Sequence, residues 1–350
     1  MRKKILDILR CIQCSASDWD LEILHENHEE VREGKLRCRS CHRICDISSG
    51  ILNVLGDALP EEISLEKEHA ESLGYLVTES GEKYLINQET IDRFRGLFLS
   101  LPAGNGSRFF KSGGSFSNQA GNAERFFKTL ESLQLTGKER VLEVGASFGW
   151  GSWRFAQRGC EVIAVDITNY LLASNLYIEE DGSYFERVMA DMNKLPFKNE
   201  CCDLIFSHSA IHHCKNLERL FSEFYRLLRP GGRAVALHEC AFGVFETKSG
   251  KALQHAIQEG FNENAYTLSE WKKGARRGGF EDVRLHFFSF IDDYVTRKRM
   301  KKSSLSLKLR LAQWIQSHPC IHDVVYWLTI PPRILFRPKA WMLIATKSQR

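Results

Sequence analysis

No run of eighteen apolar residues occurs in this 350-residue chain, so no membrane-spanning helix is expected. The opening MRKKILDILRCIQC breaks off into cysteines before it builds the apolar core of a secretory signal, so export is not expected either. No repeat of solenoid period is visible. Charge of one sign is scarce: the net charge is +4, too mild by itself to imply a nucleic-acid partner. Hydrophobic content of 43% is that of a globular protein, and the length suits one large domain plus a small one. The 11 cysteines are an odd number. In a chain without an export signal they read as reduced cytosolic thiols, some of them metal ligands, rather than as disulfides.

Four segments differ in character. Residues 1–56 carry paired cysteines and short strands. Residues 57–122 form a linker and cofactor-lid region, with an acidic helix at Glu61–Ser72 and a Gly/Ser/Asn-rich loop at 104–122. Residues 123–350 alternate strands with helices, interrupted by a basic, apolar insertion at 291–339. Expected strands are Val141–Val144, Val162–Val165, Phe185–Ala190, Leu204–Ser207, Ala234–His238, Val283–Phe288 and Trp341–Thr346. A helix over Leu217–Leu228 places Leu217, Leu220, Phe221, Phe224, Leu227 and Leu228 on one face and stops at Arg229-Pro230-Gly231-Gly232. Alternation of this kind implies right-handed βαβ units and a parallel, doubly wound sheet.

RVLEVGASFGWG, residues 140–151, reads as a buried strand, a glycine-rich turn and a helix start. Such a turn lets backbone approach a ligand that a Cβ would block, at the strand ends where these sheets bind nucleotides. The order Gly145, Gly149, Gly151 is not the G-x-G-x-x-G dinucleotide fingerprint. Further candidates close the next strands: Asp166 in VIAVD, suited to vicinal ribose hydroxyls; Asp191 in VMADM, suited to an adenine edge; and CDLIFSHSAIHH, residues 202–213, followed by LLRPGG. Glu143, Asp166 and Asp191 also have plainer readings as helix caps.

This ordered set resembles the class I S-adenosylmethionine-dependent methyltransferases, particularly the branch containing the ubiquinone and menaquinone methyltransferases. The resemblance covers roughly residues 120–290 and the last strand. It implies a Rossmann-like seven-stranded doubly wound sheet preceded by a small zinc-ribbon β domain. It also implies that Glu143, Gly145 and Gly149 frame the methionine part of the cofactor, Asp166 holds the ribose, Asp191 and Met192 the adenine, and Ser207 lines the crevice floor. Where that family often has glycine, this chain has Ser147. Methyl transfer from a sulfonium needs a base only when the acceptor must lose a proton. The candidates are His208, His212, His213, His238 and Glu239, with His212 and His238 preferred. Tyr170 and 109–118 are candidate covers for the cofactor.

Cys11-x-x-Cys14 and Cys38-x-x-Cys41 form two knuckles suited to a tetrahedral Zn²⁺, with free thiols or a redox pair as the alternatives. Cys45 and His42 are spare candidates, read as bystanders. The text GKLRCRSCHRICDISSGILNVL resembles the small zinc-ribbon activators of methyltransferases, through Gly34, Leu36, Cys38, Cys41, Ile47, Gly50, Ile51 and Leu55. Cys45 stands where that family usually has an aromatic residue. The resemblance implies an activator fused in cis that stabilises the catalytic part, with no obligate protein partner.

In the insertion, Arg297, Lys298, Arg299, Lys301, Lys302, Lys308 and Arg310 precede WLTIPPRILF. Leu305, Leu307, Leu309, Leu311, Trp314 and Ile315 are expected on one apolar helix face. A substrate cap is the favoured reading, with peripheral membrane contact through 297–336 and phosphate binding as the alternatives. The favoured activity is methyl transfer to a small, lipid-linked or glycan-type acceptor by a cytoplasmic protein, with contact at the inner face of a membrane as an added option. An RNA methyltransferase is the second reading, since zinc-ribbon enzymes occur among the 23S rRNA guanine methyltransferases. Against it, HSAIHH stands where an Asn-Pro-Pro-Tyr-type motif would be, and residues 18–33 are acidic. A non-catalytic S-adenosylmethionine-binding scaffold is the third.

Overall fold

In a computed structural model of the protein, all residues are described except 29, 56–58, 60, 73–75, 78–81, 103–122, 246–263, 265, 301–305, 337–339 and 350. The strands are β1 (Trp19–Asn27), β2 (Glu30–Cys38), β3 (Ile44–Ser48), β4 (Ile51–Asn53), the two-residue pair β5 (Leu76–Val77) and β6 (Lys83–Tyr84), then β7 (Arg140–Val144), β8 (Glu161–Asp166), β9 (Glu186–Met189), β10 (Cys202–His208), β11 (Leu228–Leu237), β12 (Asp282–Phe287) and β13 (Trp341–Thr346). The helices are α1 (Glu61–Ser72), α2 (Gln88–Arg93), α3 (Arg95–Leu99), α4 (Ala123–Ser132), α5 (Trp150–Ala156), α6 (Ser174–Asp181), α7 (Leu217–Leu227), α8 (Leu268–Arg277), α9 (Phe290–Met300), α10 (Leu307–Gln316) and α11 (Pro319–Phe336).

Eleven of these strands form one mixed sheet, ordered β1-β2-β3-β4-β9-β8-β7-β10-β11-β13-β12. From β9 to β11 neighbours run parallel, and β13 inserts antiparallel between β11 and β12. The central strands β7, β8 and β10 are buried almost residue by residue. Both faces are covered, as a parallel sheet with helices on each side requires. Helix α7 turns Leu217, Leu220, Phe221, Phe224 and Leu227 into the core, and the Asn216 side chain caps it by accepting from the Arg219 N–H at 3.0 Å. Leu228 begins β11 instead of ending this helix, and the Arg229–Gly232 breaker lies within that strand's first half.

One expectation needs revision. The cysteine-bearing strands do not stand apart as a module before the sheet. They extend it, because β4 pairs in parallel with β9 in the register Ile51↔Arg187, Leu52↔Val188, Asn53↔Met189. The apolar core is accordingly shared: Val31, Leu36, Ile47, Leu52 and Val54 belong to the same buried cluster as Val144, Val165, Val188 and Phe197. Far from the core, β1 is an exposed edge carrying Asp20, Glu22 and Glu26, charges that discourage pairing with another chain.

A polar junction locks the two parts. The Arg187 side chain is wholly buried; its guanidinium pairs with Glu30 and donates to Asn175 Oδ1 at 2.7 Å and to the Gly50 carbonyl at 3.2 Å. Burial pushes its pKa down to about 9. A fully buried arginine is tolerated only when its charge is met, and Glu30 on β2 meets it.

Candidate functional site

The turn after β7 is stitched to β8: the N–H groups of Gly145 and Ala146 both donate to the Val165 carbonyl, at 2.9 and 3.0 Å. Gly145 has φ +72°, and a Cβ there would strike the methyl of Ala210, so the turn lies directly against the loop after β10. Gly151, in the first turn of α5, leaves space for the Glu143 carboxylate beneath it; a Cβ would collide with Glu143 Oε1. Glu143 is buried and accepts from Ser152 Oγ at 2.5 Å. Burial, partly offset by the Ser152 hydrogen bonds, pushes its carboxyl up to about 8. Glu143 therefore shapes the turn from below by anchoring the start of α5.

Asp166 is half-buried at the end of β8. Its Oδ2 accepts from the Ser147 N–H at 2.7 Å, and its Oδ1 from the Thr168 N–H and hydroxyl at 2.9 and 2.7 Å. It ties the β7 turn to the β8 turn. Ser147 itself has φ +51°, a left-handed conformation that glycine adopts without strain. Asp191 accepts from the backbone and side-chain amides of Asn193 at 2.9 and 2.8 Å, and the neighbouring Met192 is half-buried against the core. Ser207 and His208, at the end of β10, each bury a polar atom without a hydrogen-bond partner among the described residues: Ser207 Oγ and His208 Nε2. Burial pushes the His208 pKa down to about 4, so the ring is neutral near pH 7. Gly145, Gly149, Asp166, Asp191, Met192 and Ser207 thus lie at or just beyond the C-terminal ends of adjacent parallel strands, where a ligand crevice is expected.

A histidine cluster borders this crevice. His212 Nδ1 is 2.7 Å from Glu239 Oε2. Glu239 is buried and also accepts from the backbone N–H groups of Ala210, Ile211 and His212, each at 3.1 Å. Its burial favours the neutral form, but the His212 ring and these N–H groups outweigh that and hold the carboxyl below its usual range. A carboxylate on Nδ1 sets the tautomer that leaves Nε2 as the proton acceptor. His213 packs on His212 with ring centroids 4.3 Å apart. His238, at φ +63°, stacks on His208 at 5.7 Å, and its Nδ1 is 3.2 Å from Ser209 Oγ. The sequence places Glu239 among the candidate bases at the crevice mouth. Its use as a loop anchor depends on a contact 27 residues away in the chain, which no local motif reports.

Tyr170, a candidate cover, is buried and stacked on Phe148 at 5.2 Å. Leu309 departs from the expected apolar face, which Leu307, Leu311 and Trp314 share and present outward. A two-residue alternation winds around a helix, so Leu309 packs inward with Ala312 against Val295, while Leu307, Leu311 and Trp314 are exposed. Cys45 lies in the apolar core and His42 is exposed, and neither joins the sulfur cluster. The candidate cover at 109–118 and Leu305 fall outside the described residues.

The Sγ atoms of Cys11, Cys14, Cys38 and Cys41 lie within 4.8 Å of one another, with Cys11–Cys41 at 3.6 Å and Cys14–Cys38 at 3.5 Å. A tetrahedral ion with bonds of about 2.3 Å to each sulfur needs S–S spacings of about 3.8 Å, so the four thiols fit such an ion closely.

Residues 142–236 match the methyltransferase domain family. Among curated relatives, the malonyl-[acyl-carrier protein] O-methyltransferase of Enterobacter lignolyticus is 36% identical over 93 residues, covering 27% of this chain and 36% of that protein. The enzyme of the same name from Methylococcus capsulatus is 32% identical over 149 residues, covering 42% of this chain and 53% of its own length. The chain spans about half or less of these relatives. Among solved structures, phosphoethanolamine N-methyltransferase 2 of Haemonchus contortus, in complex with phosphomonomethylethanolamine and S-adenosylhomocysteine, aligns at 20% identity with a TM-score of 0.48, covering 76% of this chain and 61% of that one.

Proposed function

We propose that this chain, with a methyltransferase domain at residues 142–236, transfers a methyl group from S-adenosylmethionine to a small or lipid-linked acceptor that gives up a proton. The observation that carries the reading is the Gly145–Gly151 turn. It is bound by Asp166 on one side, undercut by Glu143 and met by Ala210, on the loop that Glu239 and His212 share.

The residues suit that cofactor. Gly145 keeps the crevice floor free of a side chain, and Ser207 Oγ is a buried polar atom still in want of a partner. Glu143, Gly145 and Gly149 would frame the methionine part, Asp166 the ribose, and Asp191 with Met192 the adenine. The cofactor supplies a methyl group on a sulfonium, ready for in-line displacement. The chain's share is to align the acceptor, exclude water and take its proton. His212 Nε2 is the base; Glu239 holds its ring and stabilises the positive charge that the ring gains. His238 lines the same mouth as a second candidate.

The malonyl-[acyl-carrier protein] relatives support an acceptor carried on an acyl arm. The four cysteines hold a structural Zn²⁺, and residues 1–56, so fastened, stabilise the catalytic domain of 123–350 through β4 and β9. The test is incubation of the purified protein with methyl-labelled S-adenosylmethionine and a cell extract, followed by fractionation. Label in the lipid or small-molecule fraction is expected. Label in RNA overturns the acceptor assignment. Failure to bind S-adenosylmethionine in calorimetry overturns the activity itself.

A further inference from the structure

Helix α11 is inside out. Its polar residues His322, Tyr326 and Arg333 fall on one face at helical spacing, and that face is turned toward the domain. His322 Nε2 is 2.8 Å from Ser289 Oγ, Tyr326 donates its hydroxyl to the Phe287 carbonyl at 2.8 Å, and Arg333 donates to the carbonyls of Phe288 and Ala340 at 2.9 and 2.8 Å. The opposite face carries Ile321, Val324, Trp327 and Leu328, with Trp327 and Leu328 each 68% exposed. Beside it, α10 seats Leu309 and Ala312 on α9 and presents Leu307, Leu311 and Trp314 outward. An amphipathic surface helix of a water-soluble domain is built the other way round. Two adjacent helices with their apolar stripes exposed make a patch of the kind that marks an interaction site.

The charge around the patch narrows its partner. Residues 294–350 hold twelve lysines and arginines and a single acid, Asp323. Seven of the basic residues lie between 297 and 310 in the sequence. Lys308 and Arg310, both exposed, flank Leu307 and Leu311. Apolar and tryptophan side chains beside cationic ones suit the boundary of an anionic bilayer, where rings and leucines enter the acyl edge and the ammonium and guanidinium groups meet lipid phosphates. An RNA backbone would use the cations but has no use for Val324, Leu328 and Leu311. No described helix is long and apolar enough to cross a membrane, which leaves lying on the surface.

The patch also reaches the site. After Glu239 the chain runs along the end of α11, where the Val244 and Phe245 N–H groups donate to the carbonyls of Ile334 and Leu335 at 3.2 and 2.8 Å. Exposed Phe245 and Phe336 meet there with ring centroids 5.8 Å apart.

We propose that the outer faces of α10 and α11 dock on an anionic phospholipid bilayer, with both helices lying in its interface. The proposal does not depend on the methyl-transfer reading. The test is co-sedimentation of the full chain with vesicles of phosphatidylcholine alone, or of phosphatidylcholine with one quarter phosphatidylglycerol, together with tryptophan emission. The expected result is binding to the anionic vesicles with a blue shift, and at least about tenfold weaker binding to the neutral ones. Trp327→Glu with Leu328→Glu should reduce binding about tenfold without moving the thermal midpoint, since both side chains are exposed. Lys308→Glu with Arg310→Glu should reduce it too, and salt should weaken what remains. Equal sedimentation of wild type and the Trp327/Leu328 variant overturns the proposal. So does a wild-type dimer in light scattering that this variant splits, which would make a second copy the occupant. Binding to a 30-nucleotide RNA but not to vesicles overturns it as well.

Discussion

Glu239 holds the imidazole of His212 and the backbone on which that imidazole stands. One carboxylate, reached from the end of β11, takes the ring Nδ1 at 2.7 Å and three successive N–H groups of the Ala210–His212 segment at 3.1 Å. Orientation of the ring and shape of the loop are therefore one property. The same loop touches the turn after β7 through Ala210 and Gly145.

If His212 is the base, His212→Ala should lower kcat by about 10²-fold or more while the affinity for S-adenosylmethionine stays within twofold. Glu239→Ala should cost more stability than His212→Ala, by roughly 1–3 kcal/mol, because it strands buried backbone donors as well as the ring. Single-turnover kinetics and urea unfolding check the two halves. A His212→Ala enzyme with unchanged kcat would remove the base assignment.

Asp166 is predicted to be indispensable for cofactor binding. Asp166→Ala frees the Ser147 and Thr168 donors that the carboxylate ties together and removes the expected ribose contact. Calorimetry should show at least a tenfold loss of affinity; retained binding would refute the assignment.

Stability should be nearly flat between pH 4.5 and 6.5, where two opposed titrations cancel, and should fall clearly as pH rises above 6.5 and only slightly below 4.5. The Glu143 carboxyl sits at about 8 in the fold against an ordinary 4.5, so its contribution is full below 4.5 and is lost as pH rises toward 8. His208 sits at about 4 against an ordinary 6.5, so its contribution is present above 6.5 and is lost as pH falls toward 4. Taken singly, each contribution is on the order of a few kcal/mol. Glu143→Gln should flatten the alkaline limb and His208→Gln the acidic one in thermal melts from pH 4 to 9. A melt curve unchanged by either substitution contradicts this account.

Metal removal should be felt by the whole molecule, since the cysteine-bearing strands continue the main sheet. Mass spectrometry is expected to find about one zinc per chain, and Cys38→Ser to lose it. The variant's melting should stay a single transition at lower temperature, because β4 and β9 share hydrogen bonds and core. Two separate transitions, or no change, would mean that the ribbon folds alone or carries no metal.

The same coupling predicts a large effect at the buried ion pair. Glu30→Ala leaves Arg187 charged and enclosed, and should cost about 3–5 kcal/mol in urea unfolding. A cost below about 1 kcal/mol would show that water reaches the guanidinium.

Much of the architecture is written locally. The strands ending at Val144, Asp166 and His208 are legible because residues buried on both faces must be apolar in sequence, and the turn after Val144 because only glycine fits there. The cysteine knuckles and the buried face of α7 are legible for the same reason: each is a pattern within one short stretch. The candidate cofactor residues follow from position, being strand ends of a parallel sheet.

Tertiary structure alone decided the rest. Nothing in Ile51–Asn53 announces a parallel partner more than 130 residues away, since strand pairing uses backbone groups that every residue has. Glu239 carries no mark of the loop it holds, and Tyr170 none of the ring beneath it. In α11 the periodicity of Val324, Trp327 and Leu328 defines a stripe, but a stripe has no direction. Which side met the protein was settled in the tertiary structure, where Tyr326 and Arg333 donate to the carbonyls at 287, 288 and 340.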